Sequence, residues 1–255
     1  MTVSWGIDMS TALPSVGVAS LTWHTAAPAT LSVHTVTKND GVAEYLSQAL
    51  ADPTAVVAVD VPFGWPSGFA KFLALHAQGP TPLPEPNGRS AWSALAGRET
   101  DRQVREAVKI QGLSVSFDKL GATAAMWSEI EFGLLATMGH RLDRSGITGP
   151  IVETWPRAAW SRFVGRSENP AKLTPTKFEE ALEHVVDFKS PSWRAYPEAR
   201  REHAQDAIVC ALVARARQLD QTDLPKTMDT TTLARSEGWI HIAKLGISLS
   251  ALIPE

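Results

Sequence analysis

The sequence predicts an α/β domain built on a mixed β-sheet flanked by helices and carrying insertions, with residues 1–255 forming a single unit. Two observations predict it. Residues 1–61 read as β-β-β-α-β, and a helix between the third and fourth strands implies a crossover to a parallel partner. The fourth run, AVVAVDV at 55–61, is nearly continuous and β-branched, as in a strand covered on both faces. A chain of 255 residues with 44% hydrophobic and 20% charged residues can bury a large core, which excludes disordered and fibrous classes.

In chain order, residues 3–9 form a short apolar run, closed by Ser10, Thr11 and Pro14. Residues 16–23 and 29–36 are further β-rich runs separated by Ala-Pro turn signals, so the first three strands predict an antiparallel meander. Asp40 is placed as an N-cap for a helix over 42–51, which Pro53 stops. Residues 78–97 are rich in Pro and Gly and predict a surface excursion, either a lid or an inert insertion. Helices are expected over 98–109, 122–138, 175–186 and 198–219. Short strands are expected at 151–155, ended by Pro156, and at 237–242.

Other features narrow the function classes. No stretch of about 18 apolar residues predicts a membrane span. The start MTVSWGIDMS lacks a secretory pattern, so the cytoplasm is the expected compartment. The single cysteine, Cys210, excludes internal disulfides and a Cys-rich zinc site and reads as an inert core thiol. Lys and Arg total 24 against 27 acids, a net charge of −3, which argues against binding by nonspecific phosphate contacts alone.

Three acids sit where acids are unfavourable. Asp8 falls in the first apolar strand and Asp60 at the end of the fourth, with Pro62 and Gly64 turning the chain out after it. Burying an ionised carboxylate costs several kcal/mol unless it is paired or bound to a metal. A strand's carboxyl end is where open α/β sheets bind ligands. Asp206 shares a helix face with Val209, Cys210 and Val213, and His203 sits three residues earlier on that face. Converging carboxylates repel, and hard divalent cations relieve that repulsion. Two such ions support phosphodiester hydrolysis.

GID at 6–8, AVDVPFGWP at 58–66, RETD at 98–101, ETWPRAAW at 153–160, HAQDAIVCALVARA at 203–216 and EGWIHI at 237–242 occur in an order that resembles the DUF429 family of predicted nucleases with a ribonuclease H-like fold. The resemblance implies a five-stranded sheet in the order 3-2-1-4-5. It implies a metal site of Asp8, Asp60 and Asp206 with Glu153 as a fourth ligand, taking Mg²⁺ or Mn²⁺. Asp8 and Asp206 would bind the ions, Asp60 would hold or bridge one, and Glu153 or His203 would orient the attacking water. Arg98 and Asp101 match an Arg-x-x-Asp pattern, either as a phosphate clamp or as a salt bridge that orders the excursion. The sequence departs from the family in one place: ETWPR at 153–157 stands where His-Pro-Glu often follows the strand acid. The implied substrate is nucleic acid, DNA or RNA.

Of the nine Trp residues, Trp65 and Trp92 flank the excursion and are the candidates for base stacking; packing is expected of most others. Arg157, Arg162, Arg166, Lys172 and Lys177 form a basic run that suits a phosphate patch or a solvated helix face. Two other functions fit the sequence. One is an ATP-dependent phosphotransferase of the actin-like or sugar-kinase type, although the loop after Asp8 lacks the glycine such loops use. The other is a non-catalytic scaffold.

Overall fold

A computed structural model describes residues 1–37, 41–83, 91–118, 120–165 and 168–255. Asp40, Arg166 and residues 84–90 of the excursion lie outside the described residues. Among the described residues no helix is long and apolar enough to cross a membrane.

The meander forms as the sequence predicts. Strands β1 (Thr2–Asp8), β2 (Gly17–His24) and β3 (Ala27–Thr35) pair antiparallel in succession. Helix α1 (Gly41–Leu50) crosses over to β4 (Val56–Asp60), which pairs parallel with β1. Helices α2 (Ser67–His76), α3 (Ala91–Ala96), α4 (Glu99–Val108) and α5 (Leu120–Met138) follow, then β5 (Ile151–Thr154), parallel to β4. The remaining elements are α6 (Pro156–Val164), α7 (Pro175–Leu182), β6 (Val186–Asp187), α8 (Pro191–Ala195), α9 (Arg201–Gln218), α10 (Met228–Glu237) and β7 (Ile240–His241).

The sheet has seven strands in the order β6-β3-β2-β1-β4-β5-β7, not five. The expected run 3-2-1-4-5 occupies its interior, and two-residue strands extend both edges. The helix expected over 175–186 ends early, at Leu182, and Val186 and Asp187 pair with β3. Likewise Glu237 ends α10 instead of opening a strand, and residues 198–200 are a 3-10 turn before α9.

The two faces of the sheet bury separate cores. Trp5, Ile7, Val57 and Val59 pack on one side with Leu46 of α1 and Trp127 of α5. Ala19, Ala58 and Val152 face the other side, against α6, α7 and α9. Helix α9 is the central element of this second layer. From Ala204 to Ala216 every residue is buried except Asp206. A helix covered all round is an interior helix, so the expected buried stripe is instead a buried cylinder with one open position.

Two glycines let α9 lie directly on the sheet. A Cβ on Gly6 would stand 2.0 Å from the Ala207 carbonyl oxygen, and one on Gly17 would stand 2.2 Å from that of His203. Gly6 and Asp8 share a face of β1, and Gly17 is the register partner of Asp8 on β2. The close approach therefore sets the first turns of α9 above the end of β1.

Candidate active site

Asp8 and Asp60 end neighbouring parallel strands and are direct register partners. In-register neighbours present their side chains on one face, about 5 Å apart along the sheet. That is the face α9 covers, and it carries Asp206 above them. The sequence thus places three carboxylates from three elements at one strand edge.

Each carboxyl is held above its ordinary range. Burial pushes Asp8 up, partly opposed by the His203 ring, whose Nδ1 lies 2.7 Å from Asp8 Oδ2. Burial raises Asp60 well above the ordinary value, and the charges of Asp8 and Glu153 raise it further. Asp206 is likewise raised well above the ordinary value, by burial and then by Asp8 and Asp60. Its Oδ1 is enclosed without a hydrogen-bond partner. The Asp8 contact in turn holds the His203 imidazole above its usual pKa, and His203 Nε2 lies 3.9 Å from Glu202. Glu202 is itself bonded to Lys172 at 2.6 Å.

A second acidic group lies beside the first and is built differently. Glu153, on β5, receives both ends of the Arg98 guanidinium, at 2.7 and 2.9 Å, and the backbone N–H of Phe63 at 2.9 Å. Arg98 also donates to both oxygens of Asp101, at 2.9 and 3.1 Å, and to the Glu237 carbonyl at 3.0 Å. All five guanidinium N–H groups are thereby used. The Glu237 carboxylate accepts the N–H groups of Ser67 and Glu99, which open α2 and α4. Both oxygens of Glu153, the expected fourth metal ligand, are thus engaged by an arginine. Arg98 and Asp101 form the salt bridge read from the sequence as one of two options, and the same guanidinium ties the residue that follows the excursion to Glu153 of β5.

Both groups open on a cavity of about 470 Å³. Asp60, Asp206, Glu153, Arg98, Asp101 and Arg157 all line it. None of the described residues of 78–97 does; residues 111–113 and the start of α5 supply that wall. Of the basic run, Arg162 pairs with Asp223 and Lys172 with Glu202, while Arg157 faces the cavity. Trp127, Trp160, Trp193 and Trp239 are buried core. Cys210 is buried, and its thiol is pushed up by that burial.

The family model described as "Protein of unknown function (DUF429)" matches residues 6–230. The chain belongs to the DUF429 family. No curated protein matches it. A solved structure described as Thermus thermophilus RuvC is similar over 86% of this chain and 96% of that one, at 11% identity and a TM-score of 0.33.

The residue types of the DUF429 site fit a hard divalent cation. They are carboxylate oxygens at mutually raised pKa, one of them buried with nothing to bond. Among the described residues, no three His, Cys, Asp or Glu side chains already stand in a set that could hold an ion. Sequence reasoning missed Glu237 as a member of the neighbouring network. It stood within the quoted EGWIHI run, but its partners lie 138 and 170 residues away in sequence.

Proposed function

We propose that this DUF429 chain is a divalent-metal-dependent nuclease of ribonuclease H-like fold that hydrolyses phosphodiester bonds in nucleic acid. The interior strand order 3-2-1-4-5, with β2 antiparallel to its neighbours, supports the fold reading. One observation carries the function: Asp8 and Asp60 in register at adjacent strand ends beneath Asp206, where among the described residues no cation acts on Asp60 and the smallest of the influences on Asp206 is Lys172, itself bonded to Glu202.

In this reading Asp8, Asp60 and Asp206 hold Mg²⁺ or Mn²⁺. The ions, two in the full mechanism, supply Lewis acidity and neutralise the charge that builds on the phosphoryl oxygens. Asp8 has a second task, since its contact with Nδ1 fixes the orientation of the His203 ring. The half-buried His203 then offers Nε2 to orient water on its way to the phosphorus. Glu153 acts as a positioning residue. Its bonds to Arg98 and the Phe63 N–H fix the turn that follows Asp60.

The test is Mn²⁺ binding by calorimetry, combined with cleavage assays on DNA and RNA, for the wild type, Asp60→Asn and Asp206→Asn. The wild type is expected to bind Mn²⁺ and cleave, and each variant to lose cleavage by at least about a hundredfold. A folded wild type that binds no Mn²⁺ at millimolar concentration would overturn the proposal in favour of a scaffold. Full cleavage by both variants would move the catalytic site elsewhere.

A further inference from the structure

The cavity beside the aspartates has a part that metal binding does not use. It is lined by Trp155, Arg157, Gln111 and Leu113, next to Asp60 and Asp206. Trp155 presents the edge of its ring to the backbone of Gly112, where a Cβ would stand 3.6 Å from two ring carbons. Among the described residues Arg157 has no acidic partner, and it lines the cavity. Its neighbours in sequence differ, since Arg162 and Lys172 are tied to Asp223 and Glu202. A guanidinium at a cavity wall with no acid beside it offers its planar fork to planar or tetrahedral oxyanions.

A second observation points to the same ligand. Arg157 lies in the first turn of α6, a helix of nine residues that starts with Trp155 as N-cap and Pro156. No side chain caps this end. Its free N–H groups and positive dipole end stand at the cavity wall, a suitable seat for phosphate. The volume of about 470 Å³ is that of a small-ligand site. A pocket of this kind takes a base from a single strand or one extruded from a duplex, not a stacked pair. The net charge of −3 also gives the chain no general hold on duplex phosphates.

We propose that this cavity is a nucleotide subsite. It takes one unpaired nucleotide, with the phosphate on Arg157 and the start of α6 and the base against Trp155. The proposal rests on the nuclease reading, because it names the form of strand that the aspartates receive. Asp60, Asp206 and Asp101 also line the cavity and repel a phosphate, so occupancy is strongest when divalent cations are present.

The experiment is calorimetric titration of 5′-deoxyadenosine monophosphate, adenosine, a short single strand and its annealed duplex, with and without Mn²⁺. The proteins are the wild type, Arg157→Ala and Arg157→Lys, each checked for folding by circular dichroism. The wild type should bind the monophosphate, and Mn²⁺ should tighten that binding. Arg157→Ala should weaken it about tenfold or more, in line with loss of a charge-assisted hydrogen bond, and Arg157→Lys should restore part of it. Binding of adenosine, which has no phosphate, should not change between the proteins, and Mn²⁺ binding should be unaltered. The subsite is overturned if Arg157→Ala binds the monophosphate as the wild type does, or if duplex binds as tightly as single strand. Mn²⁺ binding with no nucleotide binding removes the subsite and leaves the metal reading. Nucleotide binding that Arg157→Ala weakens, in a protein that binds no Mn²⁺, removes the metal reading and leaves the subsite.

Discussion

Two groups of acids share one cavity, and they solve the problem of buried charge in opposite ways. Around Arg98, the carboxylates of Glu153 and Asp101 meet a guanidinium with every donor used, and the Glu237 carboxylate meets the starts of two helices. At the ends of β1 and β4, Asp60 and Asp206 face each other and Asp8, while the bases near them are bonded elsewhere, His203 to Asp8 and Lys172 to Glu202. Compensated acids hold a fold together. Acids left uncompensated at a cavity weaken the fold unless something else neutralises them, so their retention points to a ligand. Burial raises Glu153 as well, but there Arg98 and the Phe63 N–H oppose it, whereas among the described residues nothing opposes the rise of Asp60 and only Lys172 opposes that of Asp206. Arg98 itself is held charged by its two acids despite burial.

The largest expected effect lies in the compensated group. Arg98→Met should destabilise the protein by about 3–5 kcal/mol, since it strands Glu153 and Asp101 without their partner. Urea unfolding measures it. A loss below about 1 kcal/mol would mean that the network is not the structural half of the comparison. Glu237→Ala removes an acceptor shared by the starts of α2 and α4 and should cost less, about 1–2 kcal/mol.

The uncompensated group should respond with the opposite sign. In EDTA at neutral pH, Asp206→Asn should stabilise the protein by about 1 kcal/mol, because it removes a carboxyl whose ionised form burial and the neighbouring aspartates disfavour. The same substitution should abolish any thermal stabilisation by Mn²⁺. A variant less stable than wild type in EDTA would show that Asp206 has a structural partner, and the contrast between the groups would collapse.

Much of this was legible before any coordinates. Strands β1 to β3 show in apolar and β-rich runs and β4 in a nearly continuous β-branched one, and an aspartate inside such a run is conspicuous because nothing local explains it. The crossover through α1 makes β1 and β4 neighbours once the strand order is given, which brings Asp8 to Asp60. Other features had weaker signals. Strands β6 and β7 are two residues each, too short for a period to register. Helix α10 runs through Met228–Glu237 with three consecutive threonines, poor helix formers, and is secured by a Thr227–Thr230 capping box. Pro156 was read as ending a strand, which it does, but it is also the first residue of α6. Of the Arg98 network only the Arg98–Asp101 bridge was readable, because Arg98 and Glu153 are 55 residues apart in sequence and meet only through tertiary packing.

The smallest and most discriminating effect is one of pH, and a third buried group sets its background. His241 is fully buried, and burial lowers its pKa to about 4 from the ordinary 6.5. The unfolded chain therefore takes up a proton between these values that the native state refuses. Its contribution is complete above about 6.5 and is lost as pH falls toward 4, amounting to about 3 kcal/mol. Wild type and Asp206→Asn share that loss, so it cancels in their difference. Asp206 works in the other direction. Its folded pKa is raised, so the native state takes its proton before the unfolded chain does, and acidification relieves the repulsion in the wild type. The asparagine variant keeps the Asp8–Asp60 pair but lacks the share of that relief that Asp206 supplies. Its advantage of about 1 kcal/mol in EDTA at neutral pH should therefore shrink steadily as pH falls. Urea unfolding of both proteins across that range measures the gap. A gap that stays constant or widens would mean that Asp206 is not held ionised against its neighbours, and the argument for a cation at the strand ends would lose its electrostatic basis.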